Sequence, residues 1–145
     1  MSTPLEDLAE ELREADRQDR VEMLIDLAKN LPALPEKYER LKDAAHRVEE
    51  CQSPVFLFIE VVGDKVALFI DAPIEAPTVR GFVALLVEGL ADATVQEIVD
   101  IPNDLVERAG LLEILGMLRV RGLHGVLRRL KAEVVRAAAR AAATS

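Results

Sequence analysis

Apolar residues recur at three- and four-residue intervals toward both ends of the chain and crowd into two short runs between them. Leu5, Leu8, Leu12 and Ala15 form the first helical stripe. Thr3-Pro4-Leu5-Glu6 predicts its start, with Thr3 as N-cap, Pro4 at the first helical position and Glu6 closing a capping box. Asp19 and Glu22 repeat the capping spacing ahead of Val21, Leu24, Ile25 and Ala28, which predict a second helix ending near Asn30, where Leu31-Pro32-Ala33-Leu34-Pro35 stops it. Tyr38, Leu41 and Ala45 are spaced to face inward on a third helix running from Pro35 to about His46.

The period changes after Cys51. Residues 55–62 are rich in β-branched and aromatic side chains, interrupted only by Glu60, and predict a strand covered on both faces for most of its length. Val62-Gly63-Asp64-Lys65 is a tight-turn signal, and residues 65–71 return as the second strand of a hairpin. Two strands alone are marginal in water, so helices must cover them, and a short third strand near residues 47–50 would help.

Ala72-Pro73-Ile74-Glu75-Ala76-Pro77 reads as a rigid linker. Residues 78–90 are apolar nearly all round (Val79, Phe82, Val83, Leu85, Leu86, Val87), the mark of a central buried helix, with Gly81 and Ala84 permitting close approach. Thr94 and Glu97 cap a short helix ending before Pro102, and Asn103 caps another that stops at Gly110. Residues 111–118 are apolar but broken by Gly116; a last helix runs from about Gly122 to Ala142, with Leu123, Val126, Leu127, Leu130 and Val134 inward. The pattern predicts an α+β fold: a small antiparallel sheet of two or three strands, its hairpin spanning 54–71, covered by helices. Neither repeats nor a domain boundary interrupt it, so residues 1–145 are read as a single domain.

Composition narrows the class. Half the residues are apolar and 30% are charged, as in a globular chain able to bury a core without staples. The acidic start has no basic segment leading into an apolar core, and no apolar run approaches the length of a membrane span, so a secretory signal and a membrane segment are not expected. The net charge of −8 is unevenly placed: residues 1–50 carry 14 acidic and 8 basic side chains, residues 51–118 carry 11 and 3, and residues 119–145 carry 1 and 7. An acidic body argues against general nucleic-acid binding, which phosphate neutralisation drives. Most of the cations on the last helix suit its negative end and a solvated face. Arg119 and Arg121 instead fall at or before its positive end, where a cation is disfavoured and needs a salt bridge or an anionic or thiolate site to compensate.

Motif-borne chemistry is otherwise thin. There is no Gly-x-Ser-x-Gly elbow, P-loop, dinucleotide fingerprint or His-Glu-x-x-His. His46 reads as a surface residue at a helix end, and His124, beside an apolar stripe, as a packing histidine. One cysteine cannot close an internal disulfide, and with two histidines it cannot fill four tetrahedral metal positions without carboxylates or a partner's ligands. Lone-cysteine usage fits a reducing cytoplasm. Cys51 is either an inert buried residue packed as a small hydrophobe or a nucleophile acting alone.

The segment Leu31-Pro32-Ala33-Leu34-Pro35-Glu36-Lys37-Tyr38, then Val48-Glu49-Glu50-Cys51-Gln52-Ser53 before an apolar strand, then Asp71-Ala72 through Val79-Arg80-Gly81, then Arg119-Val120-Arg121-Gly122-Leu123, closely resembles the SufE family of cysteine desulfuration proteins over about residues 20–132. The resemblance implies a SufE/IscU-like fold, shared with iron–sulfur scaffold proteins. It implies a carrier rather than a stand-alone enzyme: a protein that accepts persulfide sulfur from a pyridoxal-phosphate-dependent cysteine desulfurase, stimulates that enzyme, and passes sulfur toward an iron–sulfur scaffold. No cofactor or metal of its own is implied, and monomer and homodimer both stay open. Cys51 matches the acceptor cysteine, and partner contacts are implied for Glu75 and Arg80 in the 75–81 segment and for Arg119 with Arg121 beside it. A multi-cysteine scaffold is disfavoured by the single thiol; an adaptor that binds a partner without carrying sulfur is the alternative. Relatives often have glycine where Glu50 stands and tryptophan at Phe56. A carboxylate at Glu50 would oppose thiolate formation next door.

Overall fold

The computed structural model describes residues 3–144. Helices α1 (Pro4–Glu14) and α2 (Arg17–Lys29) precede a single helical turn, α3 (Glu36–Glu39), and a 3-10 turn at Ala44–His46. Strands β1 (Phe56–Val62) and β2 (Lys65–Asp71) follow, then α4 (Pro77–Gly89), three short helices α5 (Val95–Val99), α6 (Leu105–Arg108) and α7 (Leu112–Leu115), and a long α8 (Met117–Thr144). The class is α+β, as the pattern predicts.

α4 is the centre, with Val79 and the run Phe82–Leu86 all buried. Two glycines set its distance from its neighbours. A β-carbon at Gly81 would lie 2.2 Å from the Leu24 carbonyl oxygen of α2, and one at Gly89 would lie 2.7 Å from Leu5 Cα of α1. Close backbone approach at both ends clamps the three helices together.

The hairpin is antiparallel, in register from Phe56 opposite Asp71 to Val62 opposite Lys65. Positive φ is confined to Gly63 in its two-residue turn, the pattern of a type II′ connection. Leu57, Ile59, Val61, Val66, Leu68 and Ile70 face the main core. The opposite face carries Phe58 and Phe69, covered by the Tyr38 and His46 rings, with Tyr38 4.5 Å and His46 4.7 Å from the Phe58 centroid. Glu60, the interruption in the strand, lies on this second face, where it pairs with Lys37 at 2.8 Å and accepts from the Tyr38 hydroxyl. These contacts lower its pKa, the Lys37 hydrogen bond most. The sheet's open edges are closed locally: Arg47 bridges Phe56 on one side and Thr94 bridges Lys65 on the other. The third strand thus amounts to one bridge.

Several boundaries differ from the sequence reading. The third helix does not continue to His46: Leu41 and Ala45 are exposed, and the chain must bend so that Tyr38 and His46 can both cover Phe58. Thr3 and Glu6 form no capping box; α2 is capped by Asp16, whose carboxylate accepts from the Asp19 N–H at 2.9 Å. Asn103 does not cap α6 but accepts from Lys131 at 2.9 Å. The Thr94–Glu97 capping box is formed. Gly116, at φ +81°, separates α7 from α8, which begins at Met117, five residues before the expected start. Among the described residues no helix is long and apolar enough to cross a membrane.

Candidate functional site

Cys51 sits in a loop pinched at its base. The Val48 N–H donates to the Val55 carbonyl at 2.9 Å, and both valines are fully buried. Between them the chain turns on a Cys51 N–H to Val48 carbonyl bond of 3.3 Å, so the flanking Glu49, Glu50 and Gln52 are exposed while Cys51 points inward, 4% exposed. The loop lies on α8, where glycines replace side chains. A β-carbon at Gly122 would stand 3.5 Å from Cys51 Sγ, and one at Gly125 would stand 2.3 Å from Glu50 Cβ. Arg129 holds the approach to the loop by donating to the carbonyls of Ala45 and Arg47, with Glu133 at 3.2 Å. This guanidinium is a structural strut and not only part of a solvated basic face.

Cys51, Gln52 and Ser53 form one side of a cleft of about 430 Å³. Residues 75–79, the end of the linker and first turn of α4, form another, and Leu118, Arg119 and Gly122 from the start of α8 complete it. Two helix N-termini line the cleft, so their partial positive ends add to the Arg119 charge there. The Cys51 thiol is nonetheless pushed up in pKa: burial dominates, opposed by the Ser53 backbone N–H and the charge of Arg47. Glu50 does not act as its position in the sequence suggests. Its side chain runs over Gly125 and its carboxylate lies 3.9 Å from Arg128, along the helix. Burial, not an adjacent carboxylate, opposes thiolate formation.

Of the five predicted site residues, the structure brings Cys51, Glu75 and Arg119 to this one cleft. Arg80 is not among its walls. It donates to the Ala72 carbonyl and, at 3.4 Å, to that of Ala28, with Asp71 at 3.6 Å, tying α4 to the ends of β2 and α2. Arg121 is exposed outside the cleft, because two helical steps turn it about 200° from Arg119. His124 pairs with Glu107 at 2.8 Å, joining α8 to α6 away from the thiol. Sequence reasoning gave no role to Arg47 or Gly125, and took Ser53 and Gly122 only as parts of the family pattern. Only the glycines carried a signal, since two of them three apart on an otherwise good helix need a packing reason.

The raised thiol pKa has a testable sign. The neutral form is favoured by folding, so its contribution to stability is full below the ordinary thiol value of about 8.5 and is lost as pH rises through the higher folded value. Iodoacetamide labelling of the native protein should be slow at neutral pH and rise with a midpoint above that of the same chain in urea. A native midpoint at or below the unfolded one would contradict burial as the controlling effect.

Among the described residues no three His, Cys, Asp or Glu side chains are grouped to hold a metal ion. What fold and cleft define is an α+β domain that presents one shielded thiol between two helix N-termini. The profile of the SufE family, an Fe–S metabolism associated domain, matches residues 6–134. An uncharacterised SufE-like protein of Mycobacterium tuberculosis H37Rv is 36% identical over 132 residues, covering 90% of this chain and 91% of that one. Another, from Rhizobium meliloti, is 33% identical over 119 residues, covering 80% and 83%. The solution structure of a hypothetical protein from Thermus thermophilus superposes with a TM-score of 0.80 at 34% identity, over 96% of this chain and 99% of that one. The chain belongs to the SufE family, and its role lies in Fe–S metabolism.

Proposed function

We propose that the protein is a sulfur carrier: Cys51 takes persulfide sulfur from a pyridoxal-phosphate-dependent cysteine desulfurase, stimulating that enzyme by draining it, and hands the sulfur to an iron–sulfur scaffold. The observation that carries this reading is the placement of the lone thiol, buried yet lining a cleft whose walls include Arg119 and two helix N-termini. The Cys51 thiolate attacks the outer sulfur of the donor persulfide, the donor's S–S bond breaks, and the donor cysteine departs as a thiolate that recovers the proton released by Cys51. Sulfur moves without net oxidation or reduction. Between encounters, burial keeps Cys51 protonated and shielded from oxidants. On the cleft, the positive helix ends and Arg119 favour the anionic persulfide over the resting thiol.

The partner surface is read from the rim. Ile74 is 77% exposed, Met117 65% and Leu118 62%, and these side chains flank Glu75 and Arg119 in the chain, an apolar and charged mixture suited to a transient interface in a reducing cytoplasm. Incubation with a desulfurase and cysteine should add the mass of sulfur at Cys51, and Cys51→Ser should lower both loading and stimulation at least tenfold. Loading at any other position would overturn the assignment. The near-complete burial of Cys51 favours one second reading, an adaptor that binds without carrying sulfur. Undiminished stimulation by protein alkylated at Cys51 would select it.

A further inference from the structure

Two exposed opposite charges without protein partners line the cleft over Cys51. Glu75 and Arg119 both line it, and neither side chain makes a hydrogen bond or ion pair with any described residue, including each other. An isolated exposed carboxylate or guanidinium is ordinarily just solvated. Here the two share one cavity with a thiol and with apolar walls from Val79 and Leu118. A cleft of about 430 Å³ falls in the size range of small-ligand sites. Its charges discriminate in both directions: Glu75 disfavours an acid without a cation, and Arg119 disfavours a base without an anion. The complement to both is a zwitterion. Cys51, though 4% exposed, lines the wall of this cleft, so a molecule held there lies beside it.

From this we infer that Cys51 also accepts sulfur directly from a small zwitterionic persulfide of the cysteine persulfide class, its carboxylate on Arg119 and its ammonium on Glu75. The inference rests on the reading of Cys51 as a sulfur acceptor and names a second donor for it. The step balances as the protein-to-protein transfer does. The Cys51 thiolate attacks the terminal sulfur, the donor S–S bond breaks, and free cysteine leaves as a thiolate that takes up the proton Cys51 gave to solvent. The products are Cys51 persulfide and cysteine, with no outside oxidant or reductant.

The test uses three donors without a desulfurase: cysteine persulfide made from cystine and sulfide, N-acetylcysteine persulfide, which lacks the ammonium, and mercaptoethanol persulfide, which lacks both charges. Sulfur gain at Cys51 is followed by intact mass after alkylation. The expected result is loading that saturates with cysteine persulfide and is about tenfold faster than with mercaptoethanol persulfide, a ratio of the size that charged hydrogen bonds supply. Arg119→Gln and Glu75→Gln should each shrink that ratio. Equal second-order rates for all three donors overturn the inference on the wild-type protein alone, as does a ratio untouched by both substitutions. A desulfurase run in parallel separates the two claims. Desulfurase loading without donor discrimination removes only the small-donor route, whereas no sulfur on Cys51 from any source removes the acceptor reading itself.

Discussion

Replacing Arg20 with methionine should lower the stability of this protein by about 3–5 kcal/mol, the range typical of breaking a buried charged cluster. Arg20 is the one charged residue buried among those described, and its guanidinium makes four hydrogen bonds to carbonyls, with the Glu113 carboxylate at 3.8 Å. Nε donates to the Leu12 carbonyl at 2.8 Å, Nη1 to Gly110 at 2.7 Å, and Nη2 to Arg13 at 2.9 Å and Ala15 at 2.7 Å. Three of these carbonyls end α1, where the helix dipole is negative; Leu12 also accepts from the Ala15 N–H at 3.2 Å, whereas those of Arg13 and Ala15 lie past the last helical donors. The fourth belongs to Gly110, whose φ of +72° suits glycine and where a β-carbon would stand 2.6 Å from Arg20 Nη1. Methionine fills similar volume but leaves the Arg13, Ala15 and Gly110 carbonyls without these donors, each at a cost of about 1–3 kcal/mol where water cannot replace them. Urea unfolding should show a lower midpoint at unchanged slope, with Arg20→Lys recovering only part of the loss. A drop below about 1 kcal/mol would mean that the cluster is rehydrated.

Arg20 also marks a place where the sequence holds a signal that apolar periodicity alone passes over. Arg20, Leu24 and Ala28 are the buried residues of α2, spaced by fours, so the arginine heads the same stripe as the two apolar residues. Periodicity finds the stripe and stops at the charge. The rest of the helical frame and the hairpin follow from pattern because their burial is one-sided or complete, which leaves a period in the sequence. The segment after Pro35 misleads for a related reason. Tyr38 does face inward, but toward the second face of the hairpin, and His46, which reads as a surface residue, stacks there too; a continuous helix through Leu41 could not deliver both rings to Phe58. The local signal for the break is Asp43, whose carboxylate accepts from the His46 N–H at 3.2 Å and caps the 3-10 turn, and apolar periodicity passes over it.

At the site, the thiol and its neighbours Glu75 and Arg119 are legible through family resemblance together with helix electrostatics, since Arg119 sits where a cation has no local benefit. Arg80 reads as outward-facing because it belongs to the same short segment as Glu75. Its side chain instead satisfies carbonyls at the ends of α2 and β2, a role that depends on tertiary placement. Glu50 is the sharper case. Adjacency in sequence puts its charge next to the thiol, but a tight loop turns successive side chains apart, and the path over Gly125 carries its carboxylate toward Arg128.

That path supplies the second large effect. Gly125→Ala should raise the rate of Cys51 alkylation in the native protein about tenfold or more while changing stability by no more than about 2 kcal/mol, as the overpacking and helix-propensity terms largely offset each other. The added methyl would fall 2.3 Å from Glu50 Cβ, an atom fixed by the backbone, so the loop must lift from α8 rather than a flexible tip swing aside. Overpacking of this kind costs about 1–3 kcal/mol. Alanine offsets up to about 1 kcal/mol of that by its better helix propensity. Loop displacement, unlike the balance of stability, has no such compensation: lifting residue 50 draws Cys51 from its seat against Gly122 and restores water to a thiol whose pKa burial had raised. Gly122→Ala is the control, because its methyl would meet Cys51 Sγ at an ordinary 3.5 Å and should leave the loop in place. Iodoacetamide kinetics for the two variants at one pH, with unfolding midpoints measured alongside, decide the matter. Equal protection of Cys51 in Gly125→Ala and the parent protein would show that the loop does not depend on α8 for its closed position.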